Sequence, residues 1–182
     1  MSIAPLPPKA RKLVLTVHVV SSVGWLGIAL VTLVLVVTAR VTTDPELGRA
    51  AFLVLDLFDA TLTVPVGLAA LLSGLVLSIA THWGLLRHWW VATKLVLTIV
   101  VFVVPLVLRA PLVDQAVAST ETPGADTSAA AAELMTPGVM ALLILTVATV
   151  LSVYKPWGKT PRGRRLATAR ARGARSARAV RA

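Results

Sequence analysis

The sequence predicts an all-α protein, a four-helix transmembrane bundle with both termini in the cytoplasm. Two observations carry this. Four apolar runs, at about residues 13–37, 61–80, 89–108 and 137–154, each reach the ~18 or more residues that let a helix cross a bilayer. The segments between them alternate in charge: +3 over residues 1–12, −2 over 38–60, +2 over 81–94, −3 over 109–136 and +10 over 155–182. Lys and Arg collect on the cytoplasmic side of membrane proteins, so the basic segments point inward and the two acidic segments outward. A mean hydropathy of +0.83 is too high for a soluble domain of this size to hide its apolar surface, so lipid must be the solvent for much of the chain.

Residues 1–12 form a short cytoplasmic segment, proline-rich at Pro5, Pro7 and Pro8. The first helix starts near Lys9 and runs to about Arg40. Its apolar stretch of 25 residues exceeds the ~7–15 of a signal-peptide core, and no small-residue cleavage site follows, so it reads as a retained helix. Asp44–Pro45–Glu46 is a helix start, with Asp at the N-cap and Pro at N1. Residues 47–59 either extend the second helix outward or lie at the interface, and Pro65 is a candidate kink. In the second helix Ala70, Gly74 and Ser78 recur every four residues, a small-residue face suited to close helix packing in lipid.

The short segment 81–88 makes the second and third helices an antiparallel hairpin. Val113–Thr136 is rich in Ala, Ser and Thr and reads as an irregular outer loop. The fourth helix ends at Tyr154–Lys155–Pro156–Trp157, where aromatics and lysines mark a headgroup anchor and Pro156 stops the helix. The domain boundaries expected are therefore 1–12, a bundle at 13–155, and a basic, disordered cytoplasmic tail at 156–182. That tail suits anionic lipid headgroups at about 1 kcal/mol per basic residue near the surface. Nucleic acid is the poorer partner, since the tail has no aromatic residue for stacking.

The absence of cysteine excludes disulfides, thiolate metal sites and covalently attached haem. No phosphate-binding glycine loop, nucleophile elbow or HExxH motif is present. The ionisable residues within the apolar runs are therefore the candidates for chemistry. His18 lies about five residues into the first helix, with Ser21, Ser22 and Trp25 on the same face. Lys94 lies about five residues into the third. These two helices run the same way, so His18 and Lys94 share a depth of roughly 8 Å inside the cytoplasmic boundary. Each also has a plain structural reading: His18 hydrogen-bonded to a neighbouring helix, Lys94 reaching back to the headgroups. His82, Trp83, Arg87, His88, Trp89 and Trp90 read as an interfacial belt. A bis-histidine site from His18 and His88 would need to close an offset of some 7 Å along the axis. Asp56 and Asp59, three apart on the outer side, either bind a cation or keep a helix end in water.

Leu15–Thr–Val–His18–Val–Val–Ser–Ser–Val–Gly–Trp25–Leu–Gly27, the stretch from Trp83 to Leu95 and Leu151–Ser–Val–Tyr154–Lys–Pro–Trp–Gly158 resemble a group of predicted four-helix membrane proteins of high-GC Gram-positive bacteria. The group has no stated function; the likeness spans most of residues 13–160 and implies the bacterial plasma membrane. More distantly, His18, Trp25, Gly27 and Lys94 resemble positions of the four-helix protoporphyrinogen oxidase family and related haem-associated membrane proteins. There is no equivalent here of that family's arginine-containing continuation after Trp–x–Gly.

Two functions follow as expectations. The first is a membrane subunit or assembly partner, acting with another membrane protein or as a homo-oligomer. The second is a haem- or tetrapyrrole-binding redox protein, with cofactor contacts from His18, Lys94, His88 and Trp25. In it haem b has His18 as metal ligand and Lys94 steers a propionate. A transporter calls for mid-bilayer polar residues on several helices, and the second and fourth supply only Ser73, Ser78, Thr146 and Thr149.

Overall fold

The computed structural model describes residues 6–80, 87–122 and 127–179, and every regular element in them is helical. The helices are α1 (Pro8–Val41), α2 (Pro45–Phe58), α3 (Val64–Ala80), α4 (Trp89–Val104), α5 (Ala110–Ser119), α6 (Ser128–Tyr154) and α7 (Pro161–Ala179). α2 passes into α3 through a π-helical turn at Asp59–Thr63, and α4 into α5 through another at Pro105–Arg109. Four continuous rods result, at Pro8–Val41, Pro45–Ala80, Trp89–Ser119 and Ser128–Tyr154, each long and apolar enough to cross a membrane. α1 and α6 begin and end the bundle at one pole, here the terminal pole, which is also where α4 begins.

The rods are longer than the apolar runs. α1 has 34 residues, about 51 Å at ~1.5 Å per residue, against a hydrocarbon core of about 30 Å. Part of the surplus lies at the pole away from the termini, where α1, α2, α5 and α6 close around Val36, Phe52, Leu55, Val113 and Leu134. All five are buried to 2% exposure or less. Residues 47–59 thus extend the second membrane-spanning rod toward the pole away from the termini; the Asp44 carboxylate accepts from Glu46 N at 3.0 Å to cap it. Most of Val113–Thr136, expected as irregular loop, is helix. α5 carries an inward stripe of Val113 and Ala116, and α6 begins nine residues before Pro137, burying Ala131 and Leu134. Alanine-rich sequence is a strong helix former once one face is buried. Thr127 ties the start of α6 to the end of α1, donating to Ala39 O at 2.8 Å.

A second core lies within the membrane span: Trp25, Ala29, Ala70, Val101 and Leu145. Small residues on α3 make it possible. A methyl at Gly67 would come within 3.0 Å of both Trp25 and Phe102, whose rings meet edge to face at 6.1 Å. A proline stands at or near each π turn: Pro105 opens one and Pro65 follows the other by two residues, and a proline lacks the N–H of a regular α-ladder.

The tail differs from its compositional reading as an irregular segment. Lys155 adopts a left-handed conformation (φ 46) that ends α6. The chain then returns past the start of α4, where Trp89 N donates to Gly158 O at 3.4 Å and Thr160 N to Arg87 O at 2.9 Å. Thr160 caps α7, accepting from Gly163 N at 3.1 Å. Pro161 at N1 and the Ala/Arg content suit a helix.

Candidate functional site

Four helices each bring one polar side chain to a single depth of the membrane span. His18 comes from α1, Ser73 from α3, Lys94 from α4 and Ser152 from α6. The His18 Nδ1 lies 3.0 Å from Ala70 O and 3.1 Å from Ser73 Oγ. A carbonyl can only accept, so Nδ1 carries the proton in this network and Nε2 presents its lone pair. Lys94 Nζ sits 3.4 Å from Nε2 and donates to Ser152 Oγ at 2.5 Å. The serines complete the chain: Ser152 donates to Ala148 O at 3.1 Å and Ser73 to Ala69 O at 2.5 Å. Each of the four side chains therefore has at least one hydrogen-bond partner, as burial in lipid demands.

Gly74 sets the imidazole in place. A methyl there would lie 2.8 Å from His18 Cε1, so only glycine lets the ring approach α3 this closely. In the small-residue face read from the sequence, Ala70 offers its carbonyl and Gly74 its open space, while Ser78 bonds back to Gly74 O at 2.8 Å.

The His18–Lys94 pair forms part of the wall of a cavity of about 500 Å³ between α1, α3, α4 and α6. Its size falls in the usual range for small-molecule sites, about 300–1,000 Å³. The wall is chiefly apolar and includes Trp25, Trp90 and Leu145, with Arg11, Lys94 and Lys155 as its cations. Among the described residues, no carboxylate lines it. A half-buried lysine such as Lys94 on an apolar wall favours an anionic occupant.

Of the residues singled out in the sequence, His18, Lys94 and Trp25 meet at this cavity. His88 is not among the residues that line it; it stands at the N-cap of α4, its backbone paired antiparallel with that of Lys159. His82 lies outside the described residues. Lys94 donates to Ser152 of α6, two residues from that helix's end. Ser73 and Ser152 were missed as site residues: they lie seven and two residues from the ends of α3 and α6, and counting residues from helix ends does not bring them level with His18. Among the described residues, no three His, Cys, Asp or Glu side chains gather closely enough to hold a metal ion alone.

A second, smaller cavity of about 180 Å³ opens at the far end of the membrane span, lined by Asp56, Asp59, Arg109 and Asp114. Trp25 contributes to the walls of both. Asp59 and Arg109 form an ion pair there, and Thr63 donates to the other Asp59 oxygen at 3.1 Å.

Residues 12–156 match the family model described as a predicted integral membrane protein, DUF2269. No curated protein and no solved structure matches the chain.

Proposed function

The chain belongs to the DUF2269 family of predicted integral membrane proteins, and we propose that it binds a carboxylate-bearing tetrapyrrole inside the bacterial plasma membrane. The observation that carries this reading is the His18–Lys94 pair, 3.4 Å apart, on the wall of a largely apolar cavity that no carboxylate among the described residues lines. A planar apolar macrocycle suits the Trp25, Trp90 and Leu145 walls. Its carboxylates suit Lys94, Arg11 and Lys155, two of which belong to segments expected at the cytoplasmic headgroups. The donor set also fits haem. The His18 Nδ1 is held by a backbone carbonyl, the arrangement that fixes a metal-ligating imidazole and leaves Nε2 for iron. Haem bound there would supply one-electron chemistry. His18 would be the ligand, with Lys94 released from Nε2 to pair with a propionate. His88 has no part in this reading.

The test is the visible spectrum of the protein purified in mild detergent after haem supplementation. A Soret band that is lost in His18→Ala supports haem. A colourless wild-type protein overturns the haem form of the proposal.

A second reading, a membrane subunit or assembly partner, is favoured by α7. This basic helix is anchored beside the start of α4 through Trp89, Thr160 and Arg87 and is suited to lie along anionic headgroups or an acidic partner. With both termini cytoplasmic, α7 and the cavity's cationic mouth share one side of the membrane. Co-purification of a stoichiometric partner, or a homo-oligomer in mild detergent, that is lost on deleting residues 160–182 supports it; a monomer with no partner in both forms overturns it.

A further inference from the structure

The Asp59–Arg109 pair lies far from the His18 cluster. Fifteen residues separate Lys94 from Arg109 along one rod, and fourteen separate Ser73 from Asp59 along another, or about 22 and 21 Å. With Lys94 about 8 Å inside one edge of a ~30 Å hydrocarbon core, the pair falls at the opposite edge, at headgroup level. Arg109 is 92% buried at its side chain. Its Nη1 meets Asp59, while Nε and Nη2 have no hydrogen-bond partner among the described residues. A buried guanidinium with two unfilled donors calls for an acceptor, and its fork suits a bidentate oxyanion.

The mouth of the same cavity carries the opposite charge. Asp56 and Asp114 both line it, and both are exposed. A simple anion would have to pass two carboxylates. A simple cation would leave the Arg109 fork unfilled. A ligand with an oxyanion and an ammonium joined by a short spacer answers both, oxyanion inward on Arg109 and ammonium outward between Asp56 and Asp114. We propose that this cavity is a binding site for such a zwitterion, presented at the surface of the leaflet opposite the termini. Two sources share that chemistry: the headgroup of an ethanolamine phospholipid, and a free amino acid or phosphoethanolamine. The π turns at Asp59–Thr63 and Pro105–Arg109 place both members of the pair on widened helix, a geometry frequent at ligand sites.

The experiment uses the full-length protein in detergent and isothermal titration with four probes. These are short-chain phosphatidylethanolamine, short-chain phosphatidylglycerol, free phosphoethanolamine and glycine. The expected result is saturable one-to-one binding of at least one ammonium-bearing probe and none of phosphatidylglycerol. Binding of the free compounds identifies a soluble ligand, and binding of the acylated probe alone identifies the lipid. The double variant Asp56→Asn/Asp114→Asn changes only exposed side chains, so folding is retained. It should weaken zwitterion binding by about tenfold or more, the loss expected when a charge-assisted contact goes. It should also admit phosphatidylglycerol. No saturable binding of any ammonium-bearing probe overturns the proposal, as does equal affinity in the double variant or equal binding of phosphatidylglycerol to the wild type.

Discussion

Replacing Gly74 with alanine isolates the contact that seats His18. The added methyl would come 2.8 Å from His18 Cε1 and 3.3 Å from Nδ1, inside normal van der Waals separation, while Lys94 Nζ sits 3.4 Å from Nε2 at the ring edge. The imidazole must tilt and loosen its bonds to Ala70 O and Ser73 Oγ. Overpacking of this kind costs about 1–3 kcal/mol, and each lost side-chain bond in a membrane bundle about 0.6 kcal/mol. Opposing this, Gly→Ala in a helix stabilises by roughly 0.5–1 kcal/mol. Gly27 on α1 supplies the control, because a methyl there meets nothing within 4 Å. Reversible unfolding in mixed micelles should therefore show Gly27→Ala neutral or stabilised and Gly74→Ala destabilised by about 1–2 kcal/mol relative to wild type. The decisive arm is the double mutant. In a His18→Ala background the clash is gone, so Gly74→Ala should become neutral or stabilising, giving a coupling energy above about 1 kcal/mol. Additive effects of the two substitutions would refute the seating of His18 against α3.

Other perturbations follow from the same packing. Gly67→Ala drives a methyl to within 3.0 Å of Trp25 and Phe102 and should cost about 1–3 kcal/mol in the same unfolding assay. Asp59→Asn leaves Arg109 buried without its counter-ion and should destabilise by about 3–5 kcal/mol; Asp59→Asn/Arg109→Leu should recover part of the loss, whereas a double mutant no better than the single denies that the pair is coupled. Deleting residues 160–182 removes most of the basic tail, so its effect on sedimentation of a soluble fusion of residues 155–182 with anionic vesicles should be near-complete loss, and binding of the intact fusion should fall as salt rises. A C-terminal reporter should be active on the cytoplasmic side only; activity outside the cell reverses the topology.

The sequence made the bundle legible because helix existence in lipid depends on composition, which a hydropathy run states directly. It also placed His18 and Lys94 at one depth by counting from the starts of their apolar runs, and the two side chains lie 3.4 Å apart. What it could not state was azimuth. Ser73 and Ser152 are ordinary membrane-helix serines until packing turns α3 and α6 inward. The helical extensions beyond the bilayer were hidden for a different reason. α5 and the start of α6 have polar, alanine-rich sequence like that of a loop, and only the core around Phe52, Val113 and Leu134 makes helix the better state. α7 did carry a local signal in Thr160–Pro161, an N-cap and N1 pair, but its charge density masked it. Arg109 and Asp59 lie fifty residues apart, and no local pattern links them.

The account rests on an anion-accepting cavity built around His18 and Lys94, and ligand binding tests it most directly. Metal-free protoporphyrin should be titrated into the detergent-solubilised protein while tryptophan fluorescence is followed, since Trp25 and Trp90 line the cavity. Saturable one-to-one quenching is predicted, weakened by about tenfold or more in Lys94→Met, the loss of one charge-assisted contact. Non-saturable quenching that matches an empty-micelle partition control, or equal affinity in wild type and Lys94→Met, would contradict it.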